Sequence, residues 1–166
     1  MAKRYKVAVI MGSDSDLEVM NNCTDTLKEF GISYELRILS AHRVPDDLAR
    51  YVKSFESRGI GVVIAAAGGA AHLPGVIAAG TTRPVIGVPM ESKYLKGIDS
   101  LFSIVQMPNG IPVGTMAIGE PGARNAALFA AEIIALLNKK VARALSAFKI
   151  QQRKAVLKKD KVMRRK

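Results

Sequence analysis

The chain has 166 residues, 49% of them apolar, with one cysteine and no tryptophan, which is the length of one domain with enough apolar material for a core and argues against disorder. The lone Cys23 excludes an intrachain disulfide framework and any C-x-x-C metal site. The net charge of +11 belongs to one end: residues 1–138 hold 13 Lys/Arg and 13 Asp/Glu, whereas residues 139–166 hold 12 Lys/Arg against Asp160 alone.

Tyr5–Met11 is a short β-rich apolar run ending at Gly12, the pattern of a buried parallel strand. Leu17, Met20, Cys23, Leu27 and Phe30 recur at helical spacing and predict a helix that stops at Gly31, with Cys23 as a structural thiol. A second strand is predicted over Ser33–Leu39, then a loop over Ser40–Pro45. One helix is predicted over Asp46–Arg58, with Leu48, Tyr51, Val52 and Phe55 on one face and Gly59 closing it. Gly61–Ala67 is apolar throughout and predicts a central third strand. The glycine-rich loop Gly68–Gly75 opens a short helix to Ala79, and Pro84–Val88 predicts a fourth strand. A helix around Asp99–Gln106 and a fifth strand over Val113–Ile118 follow. An Ala-rich helix over Ala123–Leu137 is then continued by a second helix with Val141, Leu145 and Phe148 in register.

Strands alternating with helices at this spacing imply parallel βαβ units, an α/β fold whose open sheet carries helices on both faces. Residues 1–150 are expected to form a single domain ending in a C-terminal helix, and 151–166 a solvated basic tail. The helix over 123–137 is apolar on more than one side, through Ala126, Ala127, Leu128, Ala130, Ala131, Ile133, Ile134, Leu136 and Leu137. One sheet face cannot cover all of these, so a homo-oligomer is expected, with a neighbouring subunit covering the remainder.

No run approaches the ~18–20 apolar residues of a membrane span. The short run after Lys3, Arg4 and Lys6 reads as a strand rather than a signal peptide. The expectation is a cytoplasmic protein with no membrane partner. A basic tail can bind nucleic acid, but the body lacks a basic face with interleaved aromatics, so no nucleic acid is required.

In open parallel sheets, ligands bind beyond the carboxyl ends of the strands, and three loops there have unusual composition. Gly12-Ser13-Asp14-Ser15-Asp16 offers a close backbone approach, hydroxyls and the free N–H groups of a helix start, which suit a phosphate; plain N-capping by Ser13 or Asp14 is the alternative. Asp16 suits sugar hydroxyls better than a phosphate. The loop has neither G-x-G-x-x-G nor G-x-x-x-x-G-K-[ST], which weakens a dinucleotide or nucleoside triphosphate reading. Ser40-Ala41-His42-Arg43-Val44-Pro45 places a hydroxyl, an imidazole and a guanidinium together: Arg43 is suited to a phosphate fork and His42 to proton transfer. Gly68-Gly69-Ala70-Ala71-His72-Leu73-Pro74-Gly75 can bring backbone amides against a planar ligand. Two His and one Cys, without H-x-x-x-H or C-x-x-C spacing, give no metal site. The residues alone thus point to a phosphorylated sugar derivative handled by one or two histidines, without metal or dinucleotide cofactor.

These motifs resemble the class I N5-carboxyaminoimidazole ribonucleotide mutases of purine biosynthesis. Gly-Ser-x-Ser-Asp (12–16), Ser-Ala-His-Arg-x-Pro (40–45) and Ala-Gly-Gly-Ala-Ala-His-Leu-Pro-Gly (67–75) carry the likeness, with Pro-Val-Ile-Gly-Val-Pro (84–89), Asp-Ser-Leu (99–101), Ser-Ile-Val-Gln-Met-Pro (103–108) and Gly-Ala-x-Asn-Ala-Ala (122–127). The resemblance implies a flavodoxin-like three-layer sandwich, a homo-octamer, and conversion of N5-carboxyaminoimidazole ribonucleotide into 4-carboxy-5-aminoimidazole ribonucleotide. It further implies that Ser13 and Arg43, helped by Ser40, hold the phosphate and Asp16 the ribose. The loop of Gly68, Gly69, Ala70, His72 and Leu73 would close on the ring, and His42 would be the catalytic acid/base. A direct aminoimidazole ribonucleotide carboxylase using free carbon dioxide shares the fold and is the alternative enzyme. A nucleic-acid-binding protein using the tail and a flavin or receiver module are the rivals from other classes; neither needs three such loops.

Overall fold

A computed structural model describes residues 5–164. Five strands form one parallel sheet in the order β2-β1-β3-β4-β5: β1 (Lys6–Met11), β2 (Tyr34–Ile38), β3 (Ile60–Ala67), β4 (Val85–Pro89) and β5 (Gly114–Thr115). This is the flavodoxin-like doubly wound order.

Side-chain alternation along the three central strands builds two cores, one on each face of the sheet. Val7, Val9 and Met11 of β1, Val62, Ile64 and Ala66 of β3, and Ile86 and Val88 of β4 face one way. They are covered by α1 (Leu17–Glu29), α6 (Glu120–Ala135) and α7 (Lys139–Met163). Ala8 and Ile10 of β1, Val63, Ala65 and Ala67 of β3, and Val85 of β4 face the other way. Their cover comes from α2 (Pro45–Lys53), α3 (Phe55–Arg58), α4 (Leu73–Ala79) and α5 (Ile98–Val105). Each fully buried Ile, Leu or Val contributes about 1.5–3 kcal/mol by leaving water.

Glycines set two local features. Gly31, at φ +65, ends α1 with the paired bonds Gly31 N to Lys28 O and Ile32 N to Leu27 O, both 2.9 Å; this is the Schellman arrangement, and it aims the chain into β2. Gly87 in β4 admits α5 to the sheet, since a Cβ there would lie 2.5 Å from Ile104 Cγ2.

The structure corrects four sequence expectations. The helix expected over 46–58 breaks at Ser54, whose hydroxyl donates to Tyr51 O at 2.6 Å, the local competition by which serine interrupts helices. The fifth strand shrinks from 113–118 to two residues at the sheet edge. The Ala-rich helix starts three residues earlier than expected and ends at Ala135. α7 is a separate helix, because Asn138 turns the chain and accepts bonds from Lys140 N and Val141 N. Packing of α7 on α6, with Phe148 edge-on to Phe30 of α1 at 5.7 Å, covers much of what a neighbour was expected to cover. Ala126, Ala127, Ala130, Ala131 and Ile134 are buried within the chain, while Leu136 and Leu137 stay exposed. Beyond Ala147 the only partly covered residues of α7 are Phe148 and Asp160, so residues 151–164 are a largely exposed helical extension. Among the described residues, no helix is long and apolar enough to cross a membrane.

Candidate active site

The carboxyl ends of β1, β2, β3 and β4 open into one cleft of about 580 Å³. All ten site residues expected from the sequence line it: Ser13, Asp16, Ser40, His42, Arg43, Gly68, Gly69, Ala70, His72 and Leu73. Sequence reasoning missed Met90, Glu91 and Ser92, which reach the cleft from the end of β4. Their position past a buried strand was the available signal, but no motif drew attention to them.

The first wall is the turn after β1. Ser13 caps it, its hydroxyl oxygen accepting from Ser15 N at 3.3 Å before a single 3-10 turn (Asp14–Asp16) leads into α1. The capping alternative is therefore realised: Ser15 N is held by the Ser13 hydroxyl, and Asp16 N donates to Ser13 O at 3.4 Å. Burial holds the Asp16 carboxyl above its ordinary range; the Ser15 hydroxyl opposes this and Asp14 adds to it.

The second wall is the loop after β2. Ser40 Oγ accepts from the backbone N–H of His42 at 3.3 Å and of Arg43 at 3.2 Å, which folds the loop so that both side chains leave on the cleft side. Arg43 Nη2 donates to Gly12 O at 2.8 Å and ties this wall to the first. His42 Nε2 lies 2.8 Å from His72 Nδ1, with the rings nearly perpendicular at 85°. The two histidines of the chain, 30 residues apart in sequence, thus form one hydrogen-bonded pair.

The third wall is the glycine-rich loop after β3. Gly69 is at φ +64, a conformation that a side chain resists, and its N–H donates to Ser100 Oγ at 2.9 Å. Leu73 and Ala71 are buried behind the loop, whereas Gly68, Ala70 and His72 are exposed to the cleft. In the fourth wall, Ser92 Oγ donates to Asp99 Oδ1 at 2.7 Å; this bond, foremost among several, holds the Asp99 carboxyl below its usual range. Cys23 is outside the site: it is buried under α6, and burial pushes its thiol up to about 12. Among the described residues, no three His, Cys, Asp or Glu side chains are grouped to hold a metal ion.

Chemically, the cleft brings together a guanidinium, serine hydroxyls, a histidine pair and an exposed glycine-rich backbone. That set suits a phosphate, a proton-transfer step and a planar ring.

A model of the AIR carboxylase family matches residues 6–155. The N5-carboxyaminoimidazole ribonucleotide mutase of Vibrio cholerae is 54% identical over 91% of this chain and 94% of its own length. That of Saccharolobus solfataricus is 55% identical over 92% of this chain and 95% of its own length. The crystal structure of Treponema denticola PurE superposes with a TM-score of 0.87 at 29% identity, covering 95% of this chain and 98% of that one.

Proposed function

The chain belongs to the AIR carboxylase family, and from that premise we propose that it is an N5-carboxyaminoimidazole ribonucleotide mutase acting in purine biosynthesis. The observation that carries this reading is the convergence of His42, Arg43 and the glycine-rich loop on one cleft. The mutase names of relatives at 54–55% identity favour the isomerase over the direct carboxylase.

Arg43, Ser13 and Ser40 hold the phosphate, Asp16 bonds the ribose, and Gly68, Gly69, Ala70, His72 and Leu73 enclose the aminoimidazole. The N5–carboxylate bond breaks and carbon dioxide leaves; its electron pair returns to N5, which takes a proton from cationic His42. Ring carbon 4 then attacks the retained carbon dioxide, and the proton on carbon 4 passes back to His42. One proton is delivered and one recovered, and no electrons are transferred. The cleft's task is to keep gas and ring together, which proximity in a water-poor site accomplishes.

The test incubates the protein with N5-carboxyaminoimidazole ribonucleotide, and separately with aminoimidazole ribonucleotide plus bicarbonate, each with and without EDTA and without ATP. Rapid product formation from the first substrate alone, insensitive to EDTA, is expected. Turnover of the second at the greater rate would make it the direct carboxylase.

The same reading includes a cytoplasmic homo-octamer. Ile98, Phe102 and Val105 on α5, with Tyr94 and Leu95 before it, are exposed large apolar groups close together in sequence. Such a cluster supports burial against another copy. Sedimentation at micromolar concentration should show a stable oligomer and no monomer; a stable monomer would sink this part. Removal of residues 151–166 should leave turnover within about twofold, because every wall of the cleft lies upstream of Ser100 and exposed surface away from such features has little effect. Assay of the truncated protein checks it, and a large loss with the oligomer intact would give the tail a catalytic role.

A further inference from the structure

The Asp-Ser-Leu motif at 99–101 plays no part in the chemistry above, yet Ser100 is the most fully enclosed polar side chain near the cleft, at 0% exposure. A serine inside a helix commonly bonds a carbonyl of its own preceding turn. Ser100 instead accepts the N–H of Gly69, 31 residues away, at 2.9 Å. On the Cβ side Gly69 faces open space, with nothing beyond its chain neighbours within 4 Å of where a Cβ would be. The hydrogen bond from its N–H, made at φ +64, bears on the conformation of that residue. From Gly69 the chain closes two tight turns, Ala71 N to Gly69 O and His72 N to Ala70 O, both 2.8 Å, which deliver His72 to within 2.8 Å of His42.

The start of α5 is itself anchored to the adjacent wall after β4. Ser92 Oγ donates to Asp99 Oδ1 at 2.7 Å and accepts from Gly97 N at 3.2 Å. Gly97 is at φ +92, and a Cβ there would meet Ile118 Cγ2 at 2.6 Å, so the turn into α5 is closely fitted. One helix start thus clamps the loops after β3 and β4, two of the four walls of the cleft.

We propose that Ser100 is a positioning residue whose hydroxyl, by holding Gly69, keeps the glycine-rich loop closed over the ring and so retains carbon dioxide between its loss from N5 and its capture at carbon 4. This rests on the mutase reading. Without that bond the loop loosens, and part of the carbon dioxide escapes to solvent, leaving aminoimidazole ribonucleotide, with the His42 proton on N5, as a side product; His42 then regains a proton from solvent.

The experiment measures, for each molecule of substrate consumed, the ratio of aminoimidazole ribonucleotide to 4-carboxy-5-aminoimidazole ribonucleotide, after subtracting spontaneous decarboxylation in an enzyme-free blank. This ratio does not depend on the fraction of protein that is folded. Ser100→Ala should raise it about tenfold, the scale of one buried hydrogen bond, and Ser100→Cys, which keeps a weaker acceptor on a somewhat larger atom, should fall between. Thr24→Ala removes a buried hydroxyl on α1 that donates to Asn21 O, away from the cleft; it should leave the ratio unchanged even if it lowers stability. Should Ser100→Ala fail to fold, Ser100→Cys decides alone. An unchanged ratio in the folded Ser100 variants, with the unsubstituted protein fully active, overturns the proposal. Absence of 4-carboxy product from the unsubstituted protein overturns the mutase reading and the proposal with it.

Discussion

His42→Asn should lower turnover about 10²–10⁴-fold, the usual share of general acid–base catalysis, while the ribonucleotide still binds. Asparagine keeps a polar group of similar reach but cannot cycle a proton. The phosphate and ribose contacts proposed for Ser13, Arg43 and Asp16 stand on other side chains, so affinity has no reason to collapse. The Ser40 hydroxyl accepts the backbone N–H of residue 42 rather than its ring, so the loop should keep its shape in the variant. His72→Asn should cost less, and partly through binding. His72 meets His42 through Nδ1, so it orients the imidazole from the glycine-rich loop, and an amide at that position retains a donor and an acceptor for the same contact. Turnover and nucleotide affinity measured for both variants settle the assignment. Near-normal turnover in His42→Asn beside a dead His72→Asn would move the acid/base role to His72.

The cleft was legible in the sequence because its residues sit in motifs at strand ends, where parallel sheets place their ligands regardless of detail. Ser40, His42 and Arg43 lie within four residues of one another, so any fold that exposed one would expose its neighbours. The pairing of His42 with His72 was not legible, since it depends on β2 and β3 flanking β1 in the sheet. Ser100 was hidden for a similar reason: its partner Gly69 is distant in sequence and the bond is made by a backbone group. Glu91 and Ser92 follow a plain apolar strand and carry no pattern of their own. Where helix boundaries departed from expectation, at Ser54 and Asn138, a single polar side chain redirected the backbone. Periodicity averages over such residues, so it carried the apolar stripe through both breaks.

Gly122→Ala should destabilise the fold severely, because the added methyl has nowhere to go. A Cβ at Gly122 would lie 1.7 Å from Ala117 O and 2.6 Å from Ala117 C, and these are backbone atoms that no rotamer change can move. The close approach arises where the chain leaves β5, turns at Gly119 (φ +71) and enters α6, with Ala123 N bonded to Gly119 O at 2.9 Å. Relief would require shifting the start of α6, whose Ala123, Ala126, Ala127, Ala130 and Ala131 are all fully buried against the sheet, α1 and α7. Ordinary overpacking costs about 1–3 kcal/mol, and a clash with rigid backbone should exceed that, against a total stability of only about 5–15 kcal/mol for a typical domain. The midpoint of thermal unfolding should fall by about 10 °C or more, with a matching loss of soluble yield. Gly114→Ala is the matched control: its Cβ would sit 3.5 Å from Phe129 Cε1 and 3.8 Å from Val85 O, ordinary contact distances, so its unfolding midpoint should barely change. Thermal unfolding of the two variants beside the unsubstituted protein checks the pair, and a Gly122→Ala protein that melts with the control would mean that α6 does not begin where this packing places it.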